Sequence, residues 1–235
     1  MDRTDPLKAN AAQAERLHTH AHDLRNRLAA IQQVLAQLKE SAGDPANNEL
    51  IEFAEQQYFK AMRATEELMD DLGVDRGIGS LRLESIDLKT LVTEAIASLQ
   101  HRFDRKQQKV DLALDEGINV AGDPHWLGQL VNALLSNASK FTPREGRIRV
   151  TLERDGLSAL IVVQDNGVGL DAEDLENVFV RYAWLKSLST DGDPQGRSTL
   201  GRAITWAHAH KGSLTVHSEG AGHGSTFTLR LPSTH

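Results

Sequence analysis

The sequence predicts an α+β protein in which an N-terminal helical hairpin forms a dimeric four-helix bundle and an α/β two-layer sandwich follows. Two observations predict this division. In the first third of the chain, apolar residues recur at alternating spacings of three and four. After a glycine-containing stretch, short runs with period-two alternation alternate with helical segments. We place the hairpin at residues 1–75, a linker at 76–82 and the second domain at 83–235.

Composition favours a soluble globular protein and excludes several classes of function. The 235 residues are 40% hydrophobic and 25% charged, and the net charge of −7 argues against a primary nucleic-acid binder. The absence of cysteine excludes disulfides and thiol catalysis and suits a reducing cytosol. No apolar run reaches the roughly 20 residues that cross a bilayer. We therefore expect a cytoplasmic protein with no nucleic-acid partner and no direct membrane span.

The hairpin is predicted from two amphipathic helices separated by a turn. The first helix is expected at Asp5–Ser41, and Gly43-Asp44-Pro45 ends it. The second carries apolar residues from Leu50 to Leu72. A lone hairpin buries too little core, and this apolar face is too wide for one partner helix. Pairing two hairpins removes the problem, so the sequence predicts a homodimer.

A polar constellation lies beside the apolar seam of the first helix. His22 stands one residue off the seam and is therefore expected to face solvent. Asn26 lies one helical turn further on the same face, and Asp23 is the immediate neighbour of the histidine. A solvent-facing imidazole with a carboxylate and an amide close by is a candidate nucleophile rather than a core residue.

The second domain is predicted from a mixture of helices and largely antiparallel strands. A two-residue turn at Asp155-Gly156 indicates a hairpin, and Asp123-Pro124 opens a helix. The predicted strands are Leu81–Leu83, Val110–Leu114, Arg147–Arg154, Ala159–Asp165, Leu214–Ser218 and Thr226–Leu231. Helices are expected around Asp87–Phe103, from Asp123 onward and near Leu200–His210, and four histidines, His208, His210, His217 and His223, are expected on the surface.

Three segments of this domain carry residues suited to binding a phosphorylated ligand. Asp165 ends an apolar strand and precedes two glycines in the order Asp-x-Gly-x-Gly, although this pattern also occurs in plain turns. Asn137 lies near a helix end, with Lys140 three residues on; an amide oxygen can bind Mg²⁺ and an ammonium can meet a phosphate. The plainer reading is a lysine that complements the helix dipole. A polar loop, Gly192–Thr199, leads into a helix N-terminus.

Taken in order, these segments resemble the transmitter of a sensor histidine kinase over nearly the whole chain. The five matching segments are His22–Asn26, Asn137–Thr142, Asp165–Leu170, Phe179–Tyr182 and Gly196–Ile204, which resemble the H, N, G1, F and G2 boxes of that family. Five boxes in the family's order are far more specific than any one of them. The resemblance implies that the sandwich is of the histidine kinase/gyrase ATPase type.

The resemblance also implies roles on the nucleotide side, with ATP and Mg²⁺ as cofactors. Asp165 would bind the adenine amino group with help from Thr226, Asn137 would hold Mg²⁺, and Lys140 would contact a phosphate or the ribose. The lid over the nucleotide would run from about residue 186 to 199. The glycines assigned to the site are Gly167, Gly169, Gly196 and Gly201.

On the phosphoryl side, the resemblance implies a two-step transfer. His22 would attack the γ-phosphate, and Asp23 would accept or orient its ring proton. The phosphoryl group would then pass to an aspartate on a response regulator receiver domain, and Asn26 would position water for dephosphorylating that regulator. Residues 1 to about 14 are too few for a sensor, so we expect the input on a separate protein or on a missing part of a longer chain.

Several positions depart from the family pattern. Ala133 stands where the N box has a second asparagine, and the neighbouring Asn132 is about 100° around the helix. Thr199 and Arg202 replace a glycine and a leucine of the G2 box. The remaining departures are Trp184, at the basic position after the F box, and Arg27, at the proline of the H box.

These departures leave two further functions open. The chain could be a degenerate kinase that turns over ATP poorly and acts as a histidine phosphotransfer protein, a phosphatase or a regulatory partner. A serine kinase of the anti-sigma type shares the ATP-binding fold, but it has no phosphoacceptor bundle, so the first helix argues against it. We favour an active or weakly active protein-histidine kinase.

Overall fold

The computed structural model describes two units of the chain separately. Its described residues are 19–34 except 21, 25, 29 and 32, then 47–71, 81–181, 183, 185–187, 189–190 and 199–234. Contacts group the first two ranges into a helical unit and residues 81–181 and 185–234 into an α/β unit. The predicted domain bounds are close to this division and stay a prediction, because the linker residues lie outside the described part.

The helical unit consists of α1, whose described residues between 19 and 34 are helical, and α2, Asn47–Asp71. Val34 and Ala61 are buried. Among its described residues, four large apolar side chains are instead exposed: Leu28, Ile51, Phe53 and Tyr58. The residues expected to join the helices, 43–45, are not among those described. The hairpin and its dimer therefore stay predictions.

The described part of the α/β unit contains seven strands and four helices. The strands are β1 (Glu84–Asp87), β2 (Lys109–Leu114), β3 (Asn119–Gly122), β4 (Arg147–Asp155), β5 (Ser158–Asp165), β6 (Ser213–His217) and β7 (Ser225–Thr234). The helices are α3 (Leu88–Lys106), α4 (Pro124–Phe141), α5 (Ala172–Asn177) and α6 (Thr199–Ala209).

The strands form one mixed sheet. Its order is β1-β3-β7-β5-β4-β2, and β6 pairs with β7 beside this path. Only the β2–β4 pair is parallel within the described sheet, and the other pairs are antiparallel. The two longest pairings, β4 with β5 and β5 with β7, put β5 in the middle of the sheet. The prediction of largely antiparallel strands is confirmed.

The core lies between this sheet and the helices α3, α4 and α6, which gives the predicted two-layer sandwich. Buried side chains alternate along β4, because every second residue faces the helices. Helix α4 is the most apolar of the layer. Its N-terminus is capped by Asp123, whose carboxylate accepts the backbone N–H groups of His125 and Trp126 at 3.0 and 3.3 Å, and Pro124 follows the cap.

The prediction was wrong at the sheet edge. The first strand is Glu84–Asp87, not Leu81–Leu83, because the chain pairs there with β3 at Asn119–Gly122. Only Ile86 of β1 reaches the core, so its four residues show no period-two pattern. Strand β3 and helix α5 were not predicted at all. With four and six residues, they are too short to show a recognisable period.

Candidate functional site

The centre of the candidate site is a buried carboxylate at the end of β5. Asp165 is 5% exposed and lies opposite Ser225 in the register of β5 and β7. Its Oδ2 accepts the Ser225 hydroxyl at 2.6 Å, and its Oδ1 accepts the backbone N–H of Gly167 at 2.8 Å. Burial raises the pKa of Asp165, and these hydrogen bonds partly offset that rise. The result is a carboxylate fixed in orientation by two donors.

The partner of Asp165 is a correction to the sequence analysis. Thr226 was expected to assist this carboxylate, but the structure places Ser225 against it. Successive side chains of a strand point to opposite faces, so Thr226, opposite Gln164 and His217, lies on the other face of β7. The hydroxyl was predicted in the right segment and one residue out of position.

The two glycines after Asp165 are required by packing against other segments. Gly169 has a φ of +69°, and a Cβ there would collide with the carbonyl oxygen of Gly220. A Cβ on Gly167 would collide with the carbonyl of Phe141 at the end of α4. The glycines therefore hold the turn after β5 close to α4 and to the loop before β7, which brings these three segments around one cavity.

This cavity is mainly apolar and carries a few polar groups. Its walls include Asn137 and Phe141 of α4, Gly169 and Leu170 after β5, and Ser225 and Phe227 of β7. Leu185 and Ser187 close another side. An apolar pocket with a few convergent polar groups, next to a carboxylate of raised pKa, is the usual form of a small-molecule site.

The C-terminal half of α4 presents two of the predicted ligands of a nucleotide. Asn137 lines the cavity, and the Lys140 ammonium lies 5.7 Å from the centre of the Phe141 ring. Ala133 is 5% exposed and belongs to the core. Asn132 turns toward α3, where its Oδ1 accepts the Ser98 hydroxyl at 3.0 Å. Asn132 is therefore directed away from the cavity, so it does not replace the missing asparagine at 133.

The remaining predicted residues of this site either lie in α6 or fall outside the described part of the chain. Gly201 is buried in α6, and a Cβ there would lie 3.0 Å from the Phe179 carbonyl oxygen and closer still to the Arg181 side chain, so this glycine allows α6 to pack closely. Thr199 begins α6 and is exposed. Gly196, most of the predicted lid, Tyr182 and Trp184 lie outside the described residues. Within the described ranges, no group of three or more His, Cys, Asp or Glu side chains is arranged to hold a metal ion.

Two buried residues with structural roles were missed by the sequence analysis. Asp174 is 2% exposed, and its carboxylate accepts the backbone N–H groups of Lys186 and Ser187, both at 2.8 Å, and the Ser187 hydroxyl. It thereby anchors one wall of the cavity. His210 was expected on the surface but is 5% exposed: its Nε2 accepts the N–H of Asp123 at 3.0 Å and its Nδ1 donates to the Trp206 carbonyl at 2.7 Å.

In the helical unit, the predicted constellation around His22 is assembled on one exposed face. The His22 and Asp23 side chains are 60% and 51% exposed, and His22 Nδ1 lies 3.7 Å from Asp23 Oδ1. The Asn26 amide nitrogen is 3.3 Å from the same Nδ1. Both contacts involve Nδ1, so they leave Nε2 on the other side of the ring.

No helix in the described part of the chain is long and apolar enough to cross a membrane.

Comparison with known proteins agrees with this arrangement. Residues 122–235 match the family described as "Histidine kinase-, DNA gyrase B-, and HSP90-like ATPase". This part of the chain is similar to that ATPase family over its whole length. The "Sensor-like histidine kinase SenX3" of Mycobacterium tuberculosis is 30% identical over 98% of this chain and 56% of its own length. "Sensor protein ChvG" of Rhizobium meliloti is 27% identical over 90% of this chain and 39% of its own length.

Solved structures share the fold. The mycobacterial sensor histidine kinase MprB covers 64% of this chain and 97% of that chain, with a TM-score of 0.57 at 24% identity. Histidine kinase ThkA in complex with response regulator protein TrrA covers 100% and 68%, with a TM-score of 0.59 at 19% identity. The predicted resemblance to a histidine kinase transmitter with this type of ATPase domain is confirmed. The chain spans about half the length of SenX3.

Proposed function

We propose that this chain is the transmitter of a two-component histidine kinase, which phosphorylates His22 from ATP and passes the phosphoryl group to a response regulator aspartate. The observation that carries the proposal is the presence, in one chain, of an exposed histidine with its Nε2 away from both neighbours and an ATPase-type cavity whose lining residue Ser225 donates to the buried Asp165. Two relatives that match over nearly the whole chain support it, one named a sensor-like histidine kinase and the other a sensor protein.

The residues around the cavity fit a nucleotide. A base would lie between apolar walls, with Asp165 accepting a hydrogen bond from an exocyclic amino group. Asn137 offers an amide oxygen of the kind that Mg²⁺ binds, and Lys140 offers an ammonium for a phosphate or the ribose. ATP would supply the transferable phosphoryl group, and Mg²⁺ would offset the charge of the phosphates.

The chemistry at His22 follows from the two contacts of its ring. The lone pair of Nε2 attacks phosphorus, an N–P bond forms, and the P–O bond to the leaving ADP breaks. This step needs the tautomer with its proton on Nδ1, which cannot also accept from the Asn26 amide nitrogen, so the Asn26 contact is released and the proton is held or accepted by Asp23, 3.7 Å away. In the next step the N–P bond breaks as a receiver carboxylate takes the phosphoryl group. Asn26 would orient water for the reverse task, hydrolysis of that acyl phosphate.

We further propose that two copies of the chain associate through the helical unit. The exposed Leu28, Ile51 and Phe53 support a homodimer, because buried apolar area is the main driving force for association. The complex of ThkA with TrrA supports a receiver domain as the partner of this chain.

Incubation with γ-labelled ATP and Mg²⁺ tests the proposal. Wild type should acquire label that is stable in base and labile in acid, and His22→Ala should acquire none. His217→Ala, at an exposed position on β6, is the matched histidine control and should label like wild type. Label on His22→Ala with this stability would refute His22 as the acceptor.

A degenerate kinase is the second candidate function, and two positions favour it. Ala133 lies in the core, where the family has an amide, and Thr199 begins α6, where the family has glycine. The variant Ala133→Asn separates the two functions. An unlabelled wild type with a labelled Ala133→Asn identifies a natural pseudokinase, whereas label on wild type identifies an active kinase.

A further inference from the structure

A buried lysine lies directly behind the helix end that carries Lys140. Lys106, the last residue of α3, is 1% exposed. Its Nζ lies 3.0 Å from the carbonyl oxygen of Ser139 and 3.2 Å from that of Lys140. Lysine is almost never fully buried, because an ammonium without acceptors loses its hydration at high cost. Such a position therefore needs an explanation.

The same ammonium contacts the segment of chain that continues from the cavity wall at Leu185 and Ser187. We define the wall segment as the described residues between 185 and 190. Lys106 Nζ donates to the Thr190 hydroxyl at 2.7 Å, and the Thr190 oxygen lies 2.8 Å from the Lys140 carbonyl and 2.9 Å from the Thr142 carbonyl. Thr190 thus accepts from Lys106 and donates its one hydroxyl proton to the helix end. Lysine, threonine and helix end form one hydrogen-bonded group.

Capping of α4 alone does not account for this group. The last carbonyls of a helix have no partner within the helix, but Gln108 already serves two of those at the end of α4. Its Nε2 donates to the carbonyls of Ser139 at 2.9 Å and Thr142 at 2.7 Å. What Lys106 and Thr190 add is a connection between the helix end and the wall segment.

The wall segment is consequently held at two points. Asp174 holds Lys186 and Ser187 beside the apolar cavity. At the other end of the segment, Thr190 is held beside the carbonyls of Lys140 and Thr142. These carbonyls lie at the end of α4, where the Lys140 side chain is expected to contact a phosphate or the ribose. The two anchors therefore act on different parts of the site.

We propose that Lys106 and Thr190 are positioning residues, which together fix the phosphate side of the nucleotide site by holding the wall segment against the end of α4. The proposal rests on the proposed function, since it takes ATP as the ligand. It assigns neither residue a contact with the nucleotide. We call this hydrogen-bonded group of Lys106, Thr190 and the end of α4 the clasp. Its loss should weaken the binding of each ligand in proportion to the number of phosphates, and leave the binding of adenosine nearly unaffected.

Isothermal titration of the full chain with ATP, ADP and adenosine in the presence of Mg²⁺ tests this role. Thr190→Val keeps the shape of the side chain but removes its hydroxyl, and we expect ATP to bind about fivefold more weakly, as the loss of one hydrogen bond predicts. Thr190→Ser keeps the hydroxyl and should restore wild-type binding. Lys106→Met should weaken ATP about tenfold or more, whereas Lys109→Met, which removes the same charge from an exposed site on β2, should not.

The outcomes separate the clasp from the fold and from the proposed function. Equal losses of ATP and adenosine affinity in Thr190→Val overturn the clasp, because they indicate a general disturbance of the cavity. Unchanged ATP affinity in Thr190→Val, which is in a loop and need not affect folding, overturns it too. A wild type that binds none of the three ligands overturns the proposed function and the clasp together.

Discussion

Replacing Ser225 with alanine removes the hydroxyl that donates to Asp165 Oδ2 at 2.6 Å. The carboxylate is 5% exposed, so water cannot readily take the place of that donor. The backbone N–H of Gly167, at 2.8 Å, and the backbone of residue 225 would still interact with the Asp165 side chain. A hydrogen bond to a charged group contributes about 1.5–3 kcal/mol. We expect the free energy of unfolding at pH 7 to fall by about 2 kcal/mol, which lowers Tm by about 4–8 °C in a unit of this size.

Thr226→Val is the matched control for this experiment. It also removes a hydroxyl from β7 while keeping a β-branched side chain, but on the face of the strand away from Asp165. Its effect should stay within about 0.5 kcal/mol. Urea denaturation gives both free energies, and ATP titration should show about tenfold weaker binding for Ser225→Ala alone. If Thr226→Val lost more unfolding free energy than Ser225→Ala, the assigned register of β5 and β7 would be refuted.

Three further substitutions test the packing of the α/β unit. Gly169→Ala should destabilise the protein by about 2–4 kcal/mol in thermal melts, because its φ of +69° and the Gly220 carbonyl both exclude a Cβ. His210→Leu should cost about 2–3 kcal/mol in urea denaturation, since it leaves the buried Asp123 N–H without its acceptor; a loss under 1 kcal/mol would contradict that role. Arg230→Ala should cost under about 1 kcal/mol, and less in high salt, because both side chains of the Arg230–Asp155 ion pair are about half exposed.

Much of the α/β unit could be predicted from the sequence, because its long elements repeat their patterns. β4 alternates along its nine residues, β5 carries a continuous apolar run, and α4 combines a capping aspartate with a continuous apolar face. β1 and β3 have four residues each. Strands this short take their identity from their partners in the sheet, and no local pattern records those partners.

The candidate site divides in a similar way. Asp165 and its glycines could be found because close backbone approach restricts which residue types fit. The hydroxyl beside Asp165 could not be assigned to Ser225 rather than Thr226, since a one-residue change of register reverses the face. Lys106 and His210 have residue types that are usually exposed, and only tertiary contacts show that both are buried.

Asp165→Asn should separate ligand recognition from stability. The charge of Asp165 is proposed to favour nucleotide binding, whereas its burial makes the same charge unfavourable for the fold. Burial raises the pKa of Asp165 above its ordinary value near 3.8. Between these two values the folded protein holds a proton that the unfolded chain releases, so the free energy of unfolding falls as pH rises through this window. Ionisation of Asp165 therefore lowers the stability of the fold relative to a neutral side chain of the same shape.

An asparagine at 165 can keep both hydrogen bonds of the carboxylate. Its amide oxygen can accept the Gly167 N–H, and its amide nitrogen can donate to the Ser225 oxygen. We expect unfolding in urea at pH 7 to be at least as costly for Asp165→Asn as for wild type, and the difference to shrink as pH approaches 4. If Asp165 accepts from the base as proposed, ATP binding should be lost, because the carboxylate is gone. A variant clearly less stable than wild type at pH 7, with a deficit that shrinks at lower pH, would show that ionised Asp165 stabilises the fold, contrary to the effect of its burial.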